Sequence, residues 1–202
     1  MRRFAALVLS VAVPVGLAPA EDKKDERPEL AAPFLPTRPA VVDAMLKLAD
    51  VKEGETVYDL GCGDGRIAIA AVGPFKARRG LGMDWNSARL KDCEAAVARA
   101  VGDKKLTAEQ AKKLTFVKGD VLKLKPEDLK DVDVVTLYLL PQMNKRLKPI
   151  LQKGLKPGAR VVSHDFDMGD AGDADEWKAD KEVEVKSDRP YPHTLYLWVV
   201  KK

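Results

Sequence analysis

Cysteine is nearly absent from this chain: Cys62 and Cys93 are the only two among 202 residues. Two thiols are too few for a disulfide framework, and their spacing matches no metal motif. Cys62 falls in a glycine-rich loop and Cys93 in a helical pattern, where a thiol acts as a small packing residue. Long apolar runs are missing beyond residue 20. Nothing there approaches the ~20 apolar residues that span a bilayer, which excludes a stable membrane span from the body of the chain. Charge of one sign does not dominate either, with 35 Lys and Arg against 31 Asp and Glu, a net +4. The basic residues are spread along the chain, so nothing points to a nucleic-acid partner. No internal repeat is visible. What is present is 46% hydrophobic and 33% charged residues, over a length that suits one domain with a short appendage.

Residues 1–20, MRRFAALVLSVAVPVGLAPA, stand apart. Arg2 and Arg3 make a basic start, Phe4 to Leu17 an apolar run, and Ala18-Pro19-Ala20 a small-residue cleavage site, the layout of a secretory signal peptide. Cleavage implies an exported protein, periplasmic or secreted, with its net charge lowered from +4 to +2 by loss of the two arginines. Without cleavage the chain stays cytoplasmic or membrane-tethered. Residues 21–38 follow as a linker, first polar and charged, then stiffened by prolines. Pro36 and Thr37, at its end, are placed to fold over a ligand as a lid. The globular domain is expected over residues 39–202.

From Pro39 the pattern turns helical, and Pro39 suits a first helical turn. Units then alternate. Val57–Leu60, Gly80–Asp84, Leu114–Lys118, Val132–Leu140 and Arg160–His164 read as strands. Arg66–Val72, Ser87–Val101 and Gln142–Lys153 read as helices, the last stopped by Gly154. Residues 102–113 look like a surface insertion with a short helix, since Thr107 and Gln110 have capping-box spacing. Glu182–Val185 and Leu195–Val200 are two more strands with no helix between them, and so an antiparallel pair. The pattern predicts an α/β fold: a Rossmann-like, doubly wound, seven-stranded sheet, mainly parallel with a C-terminal antiparallel hairpin.

The informative segment is Tyr58-Asp59-Leu60-Gly61-Cys62-Gly63-Asp64-Gly65-Arg66. A strand ends, glycines permit a tight turn and close backbone approach, and a helix begins, which is where doubly wound sheets bind nucleotides. Asp84 ends the second strand 19 residues after Gly65, where a carboxylate can accept both ribose hydroxyls. Asp120 closes the third strand, within reach of an adenine amino group. A dinucleotide site uses G-x-G-x-x-G, but here Arg66 stands where the third glycine would be. Asp59 and Asp64 add negative charge, which disfavours a pyrophosphate and suits a ligand with a cationic amine and a sulfonium. That selects S-adenosylmethionine over NAD.

YDLGCGDGR resembles the first motif of class I S-adenosylmethionine-dependent methyltransferases. GLGMDW resembles their ribose-binding strand end, and KGDVL their adenine-contacting segment. The similarity runs from about Pro33 to Val200. It implies a cofactor site made by Asp59, Gly61, Gly63, Asp64, Gly65 and Arg66, with Asp84, Trp85, Asp120, Val121 and Leu139, and covered by Pro36 and Thr37. More narrowly, PFLPT, VVTLYLLPQMN and RVVSHDFDM resemble a small group containing bacterial proteins of unassigned substrate and mitochondrial lysine methyltransferases acting on membrane proteins. That implies S-adenosylmethionine as cofactor and a protein lysine as a candidate acceptor.

Methyl transfer is an in-line displacement, so the protein mainly positions the acceptor and excludes water. Many amino-methylating enzymes carry an acidic residue or Asn before two prolines after the fourth strand. This chain has Leu139-Leu140-Pro141, which leaves backbone carbonyls to orient an amine. Tyr138, His164 and Asp165 are the candidate catalytic residues, His164 as a base because its ordinary pKa lies near neutrality. No metal ligand set is read. Asp165–Glu176 has the length of a calcium loop, but Asp170 stands where that loop needs glycine. Trp177, Tyr191 and Trp198 read as packing residues. Two other functions fit the sequence: a non-catalytic protein of this fold in an exported compartment, and, opposed by Arg66 and the loop acids, an NAD-dependent oxidoreductase.

Overall fold

The computed structural model describes residues 28, 30, 33–169, 177–188 and 190–201. Residues 1–20, read from the sequence as a signal peptide, the charged part of the linker and most of the acidic loop after Asp165 lie outside the described residues.

Helix α1 (Pro39–Leu48) precedes the sheet, with Pro39 in its first turn. The chain then runs β1 (Thr56–Leu60), α2 (Arg66–Val72), β2 (Arg79–Asp84), α3 (Ser87–Gly102), α4 (Ala108–Ala111) and β3 (Leu114–Lys118). It continues through β4 (Val134–Leu137), α5 (Pro141–Gly154), β5 (Arg160–His164), β6 (Lys181–Val185) and β7 (His193–Val199). The sheet order is β3-β2-β1-β4-β5-β7-β6. Strands β1 to β5 pair in parallel, and β7 runs antiparallel between β5 and β6. The order reverses between β1 and β4, and this switch point opens a crevice at the strand ends.

Alternation along the central strands feeds two cores. Val57, Val134, Val162 and Leu195 join Val41, Met45 and Ile67 under α1 and α2. Tyr58, Val135, Val161 and Trp198 face the other way and pack with Leu147 and Leu151 of α5. In α5 the stripe Met143, Leu147, Leu151 recurs every four residues and is buried. Pro149 lies inside that helix, on its exposed side, where its missing N–H costs the helix one backbone donor. Thr107 and Gln110 form the capping box that starts α4. The outer strand β6 alternates Lys181, Glu182 and Glu184 with two valines and has mostly exposed side chains.

Strand β4 is shorter than its apolar run suggests. Val132 bonds back to Leu129 in a turn before the strand, and Leu140 caps α5 after it. Apolar residues continue past the strand because the surrounding turns are buried too. Two 3-10 turns, Val121–Lys123 and Pro126–Leu129, carry the chain from β3 toward β4.

Candidate active site

The loop after β1 is shaped from its own backbone. Gly61, Gly63 and Gly65 all have positive φ, at 79°, 54° and 76°. The amides of Gly61 and Cys62 both donate to the Met83 carbonyl at 2.9 Å, which ties the turn to β2. At Gly63 the space is as decisive as the dihedral: a Cβ there would stand 2.5 Å from the Phe34 ring. Only glycine lets the segment before α1 lie this close to the loop.

Around the loop lies a cleft with about 870 Å³ between its lining atoms, solvent at the mouth included. Of the residues read from the sequence as cofactor-binding, Asp59, Gly61, Gly63, Asp64 and Arg66 line it from the loop. Asp84, Trp85, Asp120, Val121 and Leu139 line it from the ends of the next strands, and Pro36 and Thr37 from the segment before α1. Gly65 does not line the cleft; it caps α2 in a left-handed conformation against Phe116 and Cys93. Phe34, Asn86, Arg89 and Met143 line it as well and were not singled out from the sequence. Asn86 carried a usable signal, an Asn directly before a helix, and it caps α3. Phe34 carried none, because its ring reaches Gly63 only through tertiary folding.

Three carboxylates set the electrostatics. Asp59 is 2% exposed, and its oxygen accepts the Thr136 hydroxyl at 2.7 Å from the neighbouring strand. Burial pushes its pKa up to about 7; Thr136 opposes this, while Asp84 and Asp64 add to it. Asp84 is also raised by burial, against the pull of the Asn86 and Gly63 amides that donate to it. The Trp85 amide adds to this pull, and acceptor capacity remains on the carboxylate for a ribose hydroxyl. For Asp64, burial alone would raise the carboxyl, but hydrogen bonds and charge from Arg66 outweigh it and hold it low. Arg66 neutralises Asp64, so the uncompensated negative character comes from Asp59 and Asp84. The third hand of Arg66 donates to the Thr37 carbonyl at 2.8 Å and fastens the covering segment to the loop. Arg89 stacks over the Phe34 ring at 4.4 Å.

Glycines that admit close backbone approach, a ribose-accepting carboxylate and a buried carboxylate poised for a cation fit S-adenosylmethionine. Asp84 would hold its ribose and the Asp59 region its charged end.

The candidate catalytic residues divide. Tyr138 lines the cleft at the end of β4. His164 and Asp165 lie behind it and form no part of the cleft wall. His164 is 1% exposed, its ring 3.8 Å from that of Tyr138. Its Nδ1 meets the Thr37 hydroxyl at 3.2 Å and its Nε2 meets Nδ1 of His193 at 2.9 Å. His193 was not singled out from the sequence, since 29 residues separate it from His164 and no spacing connects them.

Fold and site together define a class I S-adenosylmethionine-dependent methyltransferase. A protein-lysine N-methyltransferase of Saccharolobus islandicus (strain REY15A) is 38% identical over 168 residues, 83% of this chain and 93% of the relative. An RNA methyltransferase from Salinibacter ruber, solved with S-adenosyl-L-homocysteine, shares 39% identity and a TM-score of 0.66. That match covers 83% of this chain and 95% of that one. A methyltransferase from Thiobacillus denitrificans, at 21% identity and a TM-score of 0.52, covers 63% of this chain and 48% of its own, and shows the shared fold. The model of the ANTKMT methyltransferase domain matches residues 59–175, and the chain belongs to that family.

Proposed function

We propose that this methyltransferase acts on the side-chain amine of a protein lysine. The observation that carries the reading is the 38% identity to a protein-lysine N-methyltransferase across 83% of the chain. When bound, S-adenosylmethionine supplies a methyl carbon already activated by its sulfonium. The chain does the rest. Asp84 and the glycine loop fix the nucleoside, Asp59 faces positive charge, and Phe34 helps shield the cleft from water. Tyr138, Leu139 and Met143 border the acceptor end with largely apolar surface, which favours the neutral, nucleophilic form of an amine by desolvation. The Leu140 carbonyl is taken by the Met143 and Asn144 amides at the start of α5, so the carbonyls of Tyr138 and Leu139 are the groups that orient the amine.

An RNA acceptor is the second reading, favoured by the name of the Salinibacter ruber relative at 39% identity. Labelled methyl transfer from S-adenosylmethionine into fractionated protein and RNA separates the two. Label recovered as methyl-lysine after protein hydrolysis supports the first reading, and label confined to RNA defeats it. The basic-apolar-small pattern of residues 1–20 supports export, and residues 33–37 serve as a lid on this reading. Fractionation of a tagged full-length chain tests the first point: a cytoplasmic, uncleaved product would overturn it.

A further inference from the structure

Behind Tyr138, outside the cofactor cleft, three ligand-type atoms from two strands converge. Nε2 of His164 and Nδ1 of His193 are 2.9 Å apart. Oδ2 of Asp165 lies 3.3 Å from the first and 3.1 Å from the second. We propose that His164, Asp165 and His193 form a binding site for a divalent transition-metal ion of the zinc class.

The triangle has the right size. Three donors held about 2.1 Å from one ion stand about 3.0 Å apart at octahedral angles and about 3.4 Å apart at tetrahedral ones. The edges of 3.1 and 3.3 Å fall within that interval, and the third, 2.9 Å, lies at its octahedral end. Two imidazoles with one carboxylate are also a donor set suited to zinc or ferrous iron rather than to magnesium or calcium.

Protons alone serve the cluster less well. The Thr37 hydroxyl can donate to Nδ1 of His164 or accept from it; in the tautomer where Nδ1–H donates, Nε2 turns a lone pair inward. A single proton on His193 Nδ1 can be shared between His164 and the carboxylate. The His164–Asp165 edge then sets a lone pair against an anion, in a place where His164 is 1% and His193 3% exposed. A cation satisfies all three edges at once. The Thr37 contact is the kind of bond that metal-bound imidazoles usually make through their other nitrogen, and it is compatible with the tautomer that presents Nε2.

The backbone delivers the carboxylate. Asp165 has φ 61°, an uncommon value for a residue with a side chain. It is held there by its amide on the Thr194 carbonyl at 2.7 Å and by the Thr194 amide on its own Oδ1 at 3.0 Å. Oδ2 is left toward the rings. The Asp165 side chain is 28% exposed, so an ion has a path from solvent and room for a water in its remaining coordination. An ion there would pin the end of β5 to β7 and fix the ring that backs Tyr138.

The test uses the full chain stripped with a chelator and titrated with Zn²⁺ by calorimetry, with Co²⁺ absorption as a second readout. One equivalent per chain is expected, with affinity at least tenfold lower in Asp165→Asn and His193→Gln. Asp165→Asn keeps the size of the side chain and an oxygen for Thr194, so it decides the matter if the histidine variant does not fold. S-adenosylhomocysteine binding, followed separately, reports on the neighbouring cleft and not on this site. No Zn²⁺ binding by the parent chain, or equal affinity in folded variants, would overturn the proposal.

Discussion

Asp59 is where the cost of the site is concentrated. Its value of about 7 in the folded chain lies above the ordinary 3.8, so between those pH values the folded state keeps a proton that the unfolded chain has released. Stability must then fall as pH rises through that window, by up to about 4 kcal/mol at 1.4 kcal/mol per unit. Asp59→Asn should make the ligand-free protein more stable at pH 8, leave it nearly unchanged at pH 4, and weaken S-adenosylmethionine binding. Denaturant titrations at the two pH values check the first part; a variant no more stable at pH 8 would mean that Asp59 ionises normally. Asp84→Ala removes hydrogen bonds to a ribose and also the bond from Gly63. Affinity for S-adenosylhomocysteine should drop by about 1–3 kcal/mol in calorimetry, with the far-ultraviolet spectrum preserved. An unchanged affinity in a folded variant would put the ribose elsewhere.

At the scale of elements, the segment before α1 and the loop after β1 act as a fitted pair. Gly63→Ala would bring a methyl within 2.5 Å of Phe34 and place a side chain at positive φ. The backbone term is about 1–2 kcal/mol and stays whatever the partner; the steric term should vanish in Phe34→Ala. In a double-mutant cycle on cofactor affinity, Gly63→Ala should therefore cost less in the Phe34→Ala background. Additive losses would show that the two elements do not compete for that space. The glycine loop, the strand-ending acids and the alternating strands were legible because each is a local pattern with one physical meaning. Other features needed the third dimension. Phe34 meets Gly63, and His193 meets His164, only because strands and linker fold together. Asp64 read as a free charge until Arg66, two residues away, proved to be its partner. The 3-10 turns after β3 and the early end of β4 were hidden because buried turns and strands share an apolar composition.

For the whole molecule, ligand binding and stability are one measurement. A ligand that binds only the folded chain, supplied at a hundred times its Kd, adds about 2.7 kcal/mol. For a domain of this size that is a rise in Tm of roughly 5–10 °C. S-adenosylhomocysteine should produce such a shift and NAD none, and a shift with NAD would reopen the oxidoreductase reading. The sheet also ends in a particular way at β6. A strand with Lys181, Glu182 and Glu184 exposed along it makes a poor template for a strand from another chain, because charged side chains on an edge disfavour added pairing. That side of the molecule is thereby guarded against edge-to-edge aggregation, a protection that matters most while the β7–β6 pair is still docking onto β5 and the sheet is incomplete.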